Sequence, residues 1–248
     1  MRNRHRTVDR VAGLLEAATR RPGSTLSRLA RAVDAPVSSV QKLVDGLVAA
    51  GYLDEDDRRY TLGPAPWMLA ARAGTPPVPA VPHDALAHLA SVVRLPVLLA
   101  ARVGDNSVYL DWAGADEAFD VALSARLRAP LPDTAAGRVL LAHLPADERK
   151  RIVLTVHDGD PAAASTLLDV CARIRDTGSE RGASGALLPG AVAVAVPLWS
   201  GGRVTGALSA ADRRTRPRDP GGAGDGTAGR GPDDVAAALT DTAEAWSG

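Results

Sequence analysis

Ser38, Ser39, Gln41 and Lys42 are the residues whose types and spacing most directly suggest chemistry in this 248-residue chain. With Val37 and Asp45 they occupy the side of a predicted helix opposite its apolar stripe. Short hydroxyl side chains near a helix N-terminus suit phosphate contact, because free backbone N–H groups and the helix dipole both favour an anion there. Gln pairs bidentately with adenine, and Lys reaches guanine or a phosphate. Taken alone, the same face is merely solvated. Its surroundings have to decide.

Other reactive side chains do not assemble into a site. His157-Asp158-Gly159-Asp160 is a polar row with no converging partner at a defined spacing, and reads as a loop. His83 and His88 are five apart, so they do not share a helix face as an i, i+4 metal pair does. The Gly-rich run from Gly221 to Gly231 lacks a Gly-Lys-Ser/Thr ending and a preceding strand, so it is no phosphate loop. Cys171 is the only cysteine, which rules out an intrachain disulfide and a zinc site with several Cys ligands. It sits near Val170 and Ile174 on a predicted helix, as a small core residue does. No Ser/His/Asp set stands out. The sequence therefore predicts no enzyme, no metal and no cofactor.

The elements around Ser38 to Lys42 settle how its helix reads. Leu26, Leu29, Ala30 and Val33 follow the i, i+3, i+4, i+7 spacing of one helical stripe, and Val40, Leu43, Val44 and Leu47 repeat it. Asp34-Ala35-Pro36 interrupts the two, which is the pattern of a helix-turn-helix. Gly51 stops the second helix where a left-handed residue is needed. Tyr52-Leu53, an acidic run from Asp54 to Asp57, and Arg58 to Leu62 then read as strand, turn, strand, the wing of a winged helix. Val8, Val11, Leu15 and Ala18 mark a preceding helix that packs behind the pair. The ordered set predicts double-stranded DNA as a partner. Arg28 on the first helix of the pair, and Arg58 and Arg59 in the hairpin, join Ser38, Ser39, Gln41 and Lys42 as expected contacts.

The charge distribution agrees. Formal net charge is +0, yet Met1 to Leu53 carries nine Lys and Arg against four Asp and Glu. The first residues (MRNRHR) read either as an arm along the DNA backbone or minor groove or as a solvated tail. An Arg-rich start without a signal-type apolar core, and no run long enough to span a bilayer, fit a cytoplasmic protein with no membrane partner.

Beyond the wing, Gly63 to Ala73 contains a short helical stretch whose Trp67 and Met68 suit packing or dimer contacts. Thr75 to Pro82 (TPPVPAVP) is a stiff Pro-rich linker. His83 to Val93 is a helix, Pro96 to Val103 and Ser107 to Trp112 a hairpin, and Phe119 to Leu123 a candidate strand. Asp133 to Leu144 is a helix capped by Asp133 or Thr134, followed by helical stretches at Asp147 to Val156 and Ala163 to Asp176. Ala191 to Leu198 and Arg203 to Ala211 flank Trp199-Ser200-Gly201-Gly202 as a second hairpin. Arg213 to Gly231 reads as a flexible Gly/Pro/Arg-rich insertion, and Pro232 to Trp246 as a last helix. With 46% hydrophobic but only 3% aromatic residues, the core must be built from Ala, Val and Leu. The whole predicts an α+β fold with an antiparallel sheet flanked by helices.

Three stretches resemble the IclR-type transcriptional regulators: PVSSVQKLVDGLVAAGYL with RRYTLGP, PLPDTAAGRVLLAHLP, and PGAVAVAVPLWSGGRVTGALSAA. The resemblance implies a winged helix-turn-helix DNA-binding domain over residues 1–63, a linker over 64–82 and a GAF-like effector-binding domain over 83–248, with the flexible insertion at 213–231. It implies a homodimer or homotetramer on a partly palindromic operator, and a small organic effector. Thr134, Ala135, Ala136 and Gly137 match the turn that borders the effector pocket in the family, with Arg138 where Lys is usual. Lys42 stands where the family's recognition helix usually has Arg. Gly182 to Gly190 (GASGALLPG) lacks the acidic residues common in that segment, and Ala193 stands near where some members carry a pocket cysteine. Ser209 remains as a polar group on the final strand. Such a pocket suits an apolar effector, or none. The alternative is then a constitutive DNA-binding regulator with a degenerate, ligand-free sensor domain.

Overall fold

The computed structural model describes residues 5–73, 81–116, 128–185, 189–212 and 231–246. They fall into two compact units, divided between Pro76 and Pro77. The expected strand at Phe119 to Leu123, residues 1–4 of the N-terminal arm, most of the Pro-rich linker, Leu187 and Leu188, and all but Gly231 of the Arg213 to Gly231 segment lie outside the described residues.

The front unit runs α1 (Arg6–Arg20), β1 (Ser24–Thr25), α2 (Leu26–Ala32), α3 (Val37–Ala49), β2 (Leu53–Asp56), β3 (Arg59–Leu62) and α4 (Ala65–Ala73). Its core is Leu14, Ala18, Leu29, Ala30, Val40, Val44, Leu47, Leu53 and Tyr60, with Val11, Leu15, Leu26, Val33 and Leu43 packed against it. These are the two predicted stripes plus one face of α1. Val8, expected to pack with that face, is 64% exposed: it lies in the first turn of α1, ahead of the buried Leu14 and Ala18. Asp34 turns the chain between α2 and α3 with φ 46°, and Pro36 holds the N-cap of α3 with an extended ψ of 138°. Gly51, at φ 74°, ends α3 in a Schellman arrangement, its N–H donating to the Val48 carbonyl and that of Tyr52 to Leu47.

The wing differs from its sequence reading in one respect. Asp54, Glu55 and Asp56 belong to strand β2, not to the turn, and the turn is the two residues Asp57-Arg58. Tight two-residue hairpins of this kind hold both central residues at positive φ. Asp57 and Arg58 adopt 46° and 56° although neither is Gly or Asn. β1, two residues long and invisible to any periodicity, adds to β3 so that the sheet runs β1-β3-β2.

Among the described residues the second unit has a six-stranded antiparallel sheet, ordered β6-β5-β4-β9-β8-β7. Its strands are β4 (Val97–Val103), β5 (Asn106–Ala113), β6 (Arg128–Pro130), β7 (Glu180–Ala183), β8 (Val192–Ser200) and β9 (Arg203–Asp212). Its described helices are α5 (His83–Val93), α6 (Ala135–Ala142), α7 (Ala146–Val156), α8 (Pro161–Thr177) and α9 (Pro232–Trp246). A strand sends alternate side chains to opposite faces. In β8 the repeat Ala-Val-Ala-Val therefore puts Ala193 and Ala195 in one core with α6, α7 and α8, and Val194 and Val196 in the other with α5 and α9. β9 does the same, with Ala207 and Ala211 on the α6 side and Leu208 and Ala210 on the other. The small-residue face lets α6 lie close on the sheet. β6 and β7, three and four residues long at the two sheet edges, had no sequence signal.

Candidate nucleic-acid interface and effector site

In the front unit, the turn at Asp34 and the N-cap at Pro36 present the first turn of α3 outward. Val37, Ser38, Ser39 and Lys42 are accessible at or beside that turn, while Val40, Val44 and Leu47 on the opposite side hold the helix to its core. No side chain caps the helix; the Ser39 N–H turns back to the Pro36 carbonyl, and those of Val37 and Ser38 are left for an outside acceptor. Arg28 is exposed on α2, and Arg58 and Arg59 are exposed on the wing. The Arg59 guanidinium donates to the Gly23 carbonyl at 3.4 Å.

Gln41 is placed differently from its neighbours. It is half-buried, and its side-chain amide donates to the Asp45 carboxylate one turn on. It also lies by the phenol of Tyr60, whose pKa is raised first by burial and then by the neighbouring Glu55 carboxylate, Gln41 partly offsetting this. The pairing at i, i+4 was legible in the sequence as a Gln–Asp spacing known to bond on helices.

In the second unit Thr134 caps α6 and Ala135 to Gly137 begin it, while Ala193 and Ser209 lie on β8 and β9 of the sheet it packs on. Thr134 is the N-cap of α6: its hydroxyl accepts the Gly137 N–H at 3.0 Å and lies 3.5 Å from the Ser107 hydroxyl. Ser107 donates in turn to the Ala129 carbonyl. Tyr109, on the same strand as Ser107, is buried beside Thr134. Burial raises its pKa, against the opposing effects of the Thr134 hydroxyl and the Arg138 charge. Gly137 is required at its position, since a Cβ there would collide with the Leu131 carbonyl oxygen. Ala135, Ala136 and Ala193 belong to one core cluster, and Ser209 alternates with Leu208 and Ala210 along β9. All six expected residues are buried.

A polar network that sequence reasoning missed flanks this turn. Arg138 donates from Nε to Glu180 Oε1 at 2.8 Å and from Nη1 to the Pro132 carbonyl at 2.9 Å. Arg173 donates to the other Glu180 oxygen at 2.8 Å. A side chain on Gly182 would collide with the Arg138 guanidinium. Arg149 and Arg175 both donate to the Ala142 carbonyl and so cap the C-terminal end of α6. Cys171 is buried in the same core, as its sequence neighbours suggested, and burial pushes its thiol pKa up. Among the described residues no cluster of His, Cys, Asp and Glu has a metal-binding arrangement, and no helix is long and apolar enough to cross a membrane.

Comparison with known proteins gives two family matches that together span most of the chain. Residues 7–57 match the IclR helix-turn-helix domain, and residues 76–220 the bacterial transcriptional regulator IclR C-terminal domain. The HTH-type transcriptional regulator TtgV of Pseudomonas putida is 30% identical over 141 residues, 56% of this chain and 54% of TtgV. The HTH-type transcriptional regulator KipR of Bacillus subtilis is 26% identical over 153 residues, 60% of each chain. The alignments thus span little more than half the length of these curated relatives. An IclR homolog from Microbacterium hydrocarbonoxydans, crystallised with 4-hydroxybenzoate, has the same fold at a TM-score of 0.64, with 23% identity and 97% of each chain covered. An IclR transcriptional regulator from Alicyclobacillus acidocaldarius gives 0.63 at 23% identity, covering 99% of this chain and 100% of its own.

Proposed function

The chain belongs to the IclR family of bacterial transcriptional regulators, and from that premise we propose that it binds a partly palindromic operator whose affinity is set by a small organic effector in its second unit. One observation carries the DNA half of this reading: the uncapped, exposed first turn of α3, bearing Ser38 and Ser39 with Lys42 beside it, in the same unit as an arginine-tipped wing. Helix-turn-helix proteins contact base edges with the N-terminal residues of their second helix. Ser38, Ser39 and the free N–H groups position the helix on phosphates, and Lys42, Arg28, Arg58 and Arg59 add charge. A palindromic site calls for two copies. Trp67, Met68 and Leu69 of α4, each more than half exposed on a helix with no buried residue, suit that pairing.

The effector half rests on the turn from Thr134 to Gly137. It supplies neutral hydroxyls from Ser107, Tyr109 and Thr134, an alanine wall at Ala135, Ala136 and Ala193, and Ser209 on β9. The Arg138 charge nearby is already matched by Glu180. That composition favours an uncharged molecule with an aromatic or apolar body; the Microbacterium homolog was crystallised with an aromatic compound, 4-hydroxybenzoate, whose ring suits such a wall and whose carboxylate has no unmatched cation here. An effector that prefers one arrangement of the paired DNA-binding units changes operator affinity by that preference.

A second reading, constitutive binding with a closed sensor, is favoured by the tight burial of the same residues: Thr134, Ala135 and Ala136 are each 1% exposed and Ala193 is 5%. A thermal-shift screen with aromatic and short-chain organic compounds separates the two, because a ligand of the folded state raises the melting temperature by mass action. A compound that shifts melting and alters operator affinity establishes the effector reading. No shift across the screen favours the closed sensor.

A further inference from the structure

We propose that Val37 reads the 5-methyl group of a thymine in each operator half-site, and that Gln41 braces the recognition helix in place of reading a base. The inference rests on the proposed docking of α3 in the major groove. Val37 is the first residue of α3 and is 45% exposed. Val40, Val44 and Leu47 are buried, and Leu43 and Val48 are partly covered, so Val37 is the one large apolar side chain this helix offers outward. Its neighbours Ser38 and Ser39 are exposed too, which makes this end of the helix free to approach DNA.

Within the major groove, the thymine methyl is the apolar feature that a base pair displays, and apolar side chains read it. Gln41, the residue whose chemistry best suits adenine, is already occupied. Its amide donates to Asp45, and it is half-buried against the wing residue Tyr60. Releasing it to a base would leave the Asp45 carboxylate without that donor on a face turned toward phosphates. Held in place, the pair ties the first turns of α3 together beside Tyr60, whose ring packs in the core with Val40 and Val44.

The test uses the full-length protein and a duplex selected by it from random-sequence DNA. Each thymine is replaced in turn by deoxyuridine, which removes only the methyl group, and affinity is read by fluorescence anisotropy. The wild type loses about fourfold at one thymine position per half-site, the worth of one methyl group withdrawn from water. Val37→Ala binds the thymine duplex more weakly and no longer responds to deoxyuridine there. Gln41→Ala keeps the base preferences of the wild type. Indifference of the wild type to deoxyuridine at every position overturns the proposal, as does a relaxed preference at an adenine in Gln41→Ala. Lys42→Ala serves as the control for the underlying reading: if it leaves both the affinity for the selected duplex and the salt slope unchanged, the docking of α3 itself is wrong, whatever Val37 does.

Discussion

Arg138 and Glu180 meet at 2.8 Å with the guanidinium 13% and the carboxylate 4% exposed, joining the first helical turns of α6 to the edge strand β7. Forty-two residues separate them in the chain, so the pair fixes a contact that local sequence cannot. Removing one partner of a buried ion pair strands the other, at a cost of about 3–5 kcal/mol. Glu180→Ala and Arg138→Ala are therefore expected to lower stability by roughly that range in urea unfolding followed by circular dichroism. Arg173 bonds the same carboxylate but is 51% exposed, so Arg173→Ala is expected to cost about 1 kcal/mol or less.

The cap of α6 gives a finer test. Thr134→Ala removes the acceptor for the Gly137 N–H and is expected to cost about 1 kcal/mol, while Thr134→Ser, which keeps the oxygen, is expected to cost less. Equal losses in urea unfolding for the two variants would show that the methyl group, not the hydroxyl, holds this turn.

Alkaline pH acts through Tyr109. Its pKa is raised above 10.0 in the folded chain by burial. Well below that value both states keep the proton and nothing changes. Above it the unfolded chain ionises first, so the unfolded state binds fewer protons and stability falls as pH rises. Cys171 adds a loss of the same sign starting from 9.0. Tyr109→Phe is expected to flatten the decline above about pH 10 in urea midpoints measured against pH. The buried thiol is also expected to resist Ellman's reagent until the protein is unfolded.

The wing and the recognition helix each carry a local cost. Arg58 sits at φ 56° in a two-residue turn that suits glycine, so Arg58→Gly is expected to raise stability by about 1 kcal/mol. The same change removes a proposed phosphate contact and is expected to weaken DNA binding and reduce its salt slope by about one. Gly46 lies within α3 with open space where a Cβ would stand, so Gly46→Ala is expected to stabilise the helix by about 0.5–1 kcal/mol. Thermal melts read both stability effects. A destabilised Arg58→Gly would mean that the arginine side chain contributes more to the turn than its backbone strain costs.

Much of the architecture was legible because it rests on periodicity. The stripes of α2 and α3, the Gly51 stop, the spans of α5 and α9 and the Ala-Val alternation of β8 are local patterns, and the folded chain follows them. What escaped was short or non-local. β1, β6 and β7 have too few residues to show a period. Val8 had the right spacing but lay ahead of the buried part of its helix. The acidic residues Asp54 to Asp56 looked like a turn by composition, yet pairing with β3 decided their place. In the candidate sites, the chemistry of Gln41 suggested a base reader, and that reading left out its bond to Asp45 one turn on. The Arg138–Glu180–Arg173 cluster depends on a chain reversal that no motif announces.

Replacing Ser38 and Lys42 together by alanine addresses the central claim most directly. Neither side chain belongs to the core of the front unit, so the melting temperature is expected to stay near the wild-type value. Against a duplex selected by the wild type, the double variant is expected to lose about 100-fold or more in affinity, two hydrogen bonds to charged phosphates at roughly 1.5–3 kcal/mol each. Wild-type affinity for that same sequence in a folded Ser38→Ala, Lys42→Ala protein would contradict the account.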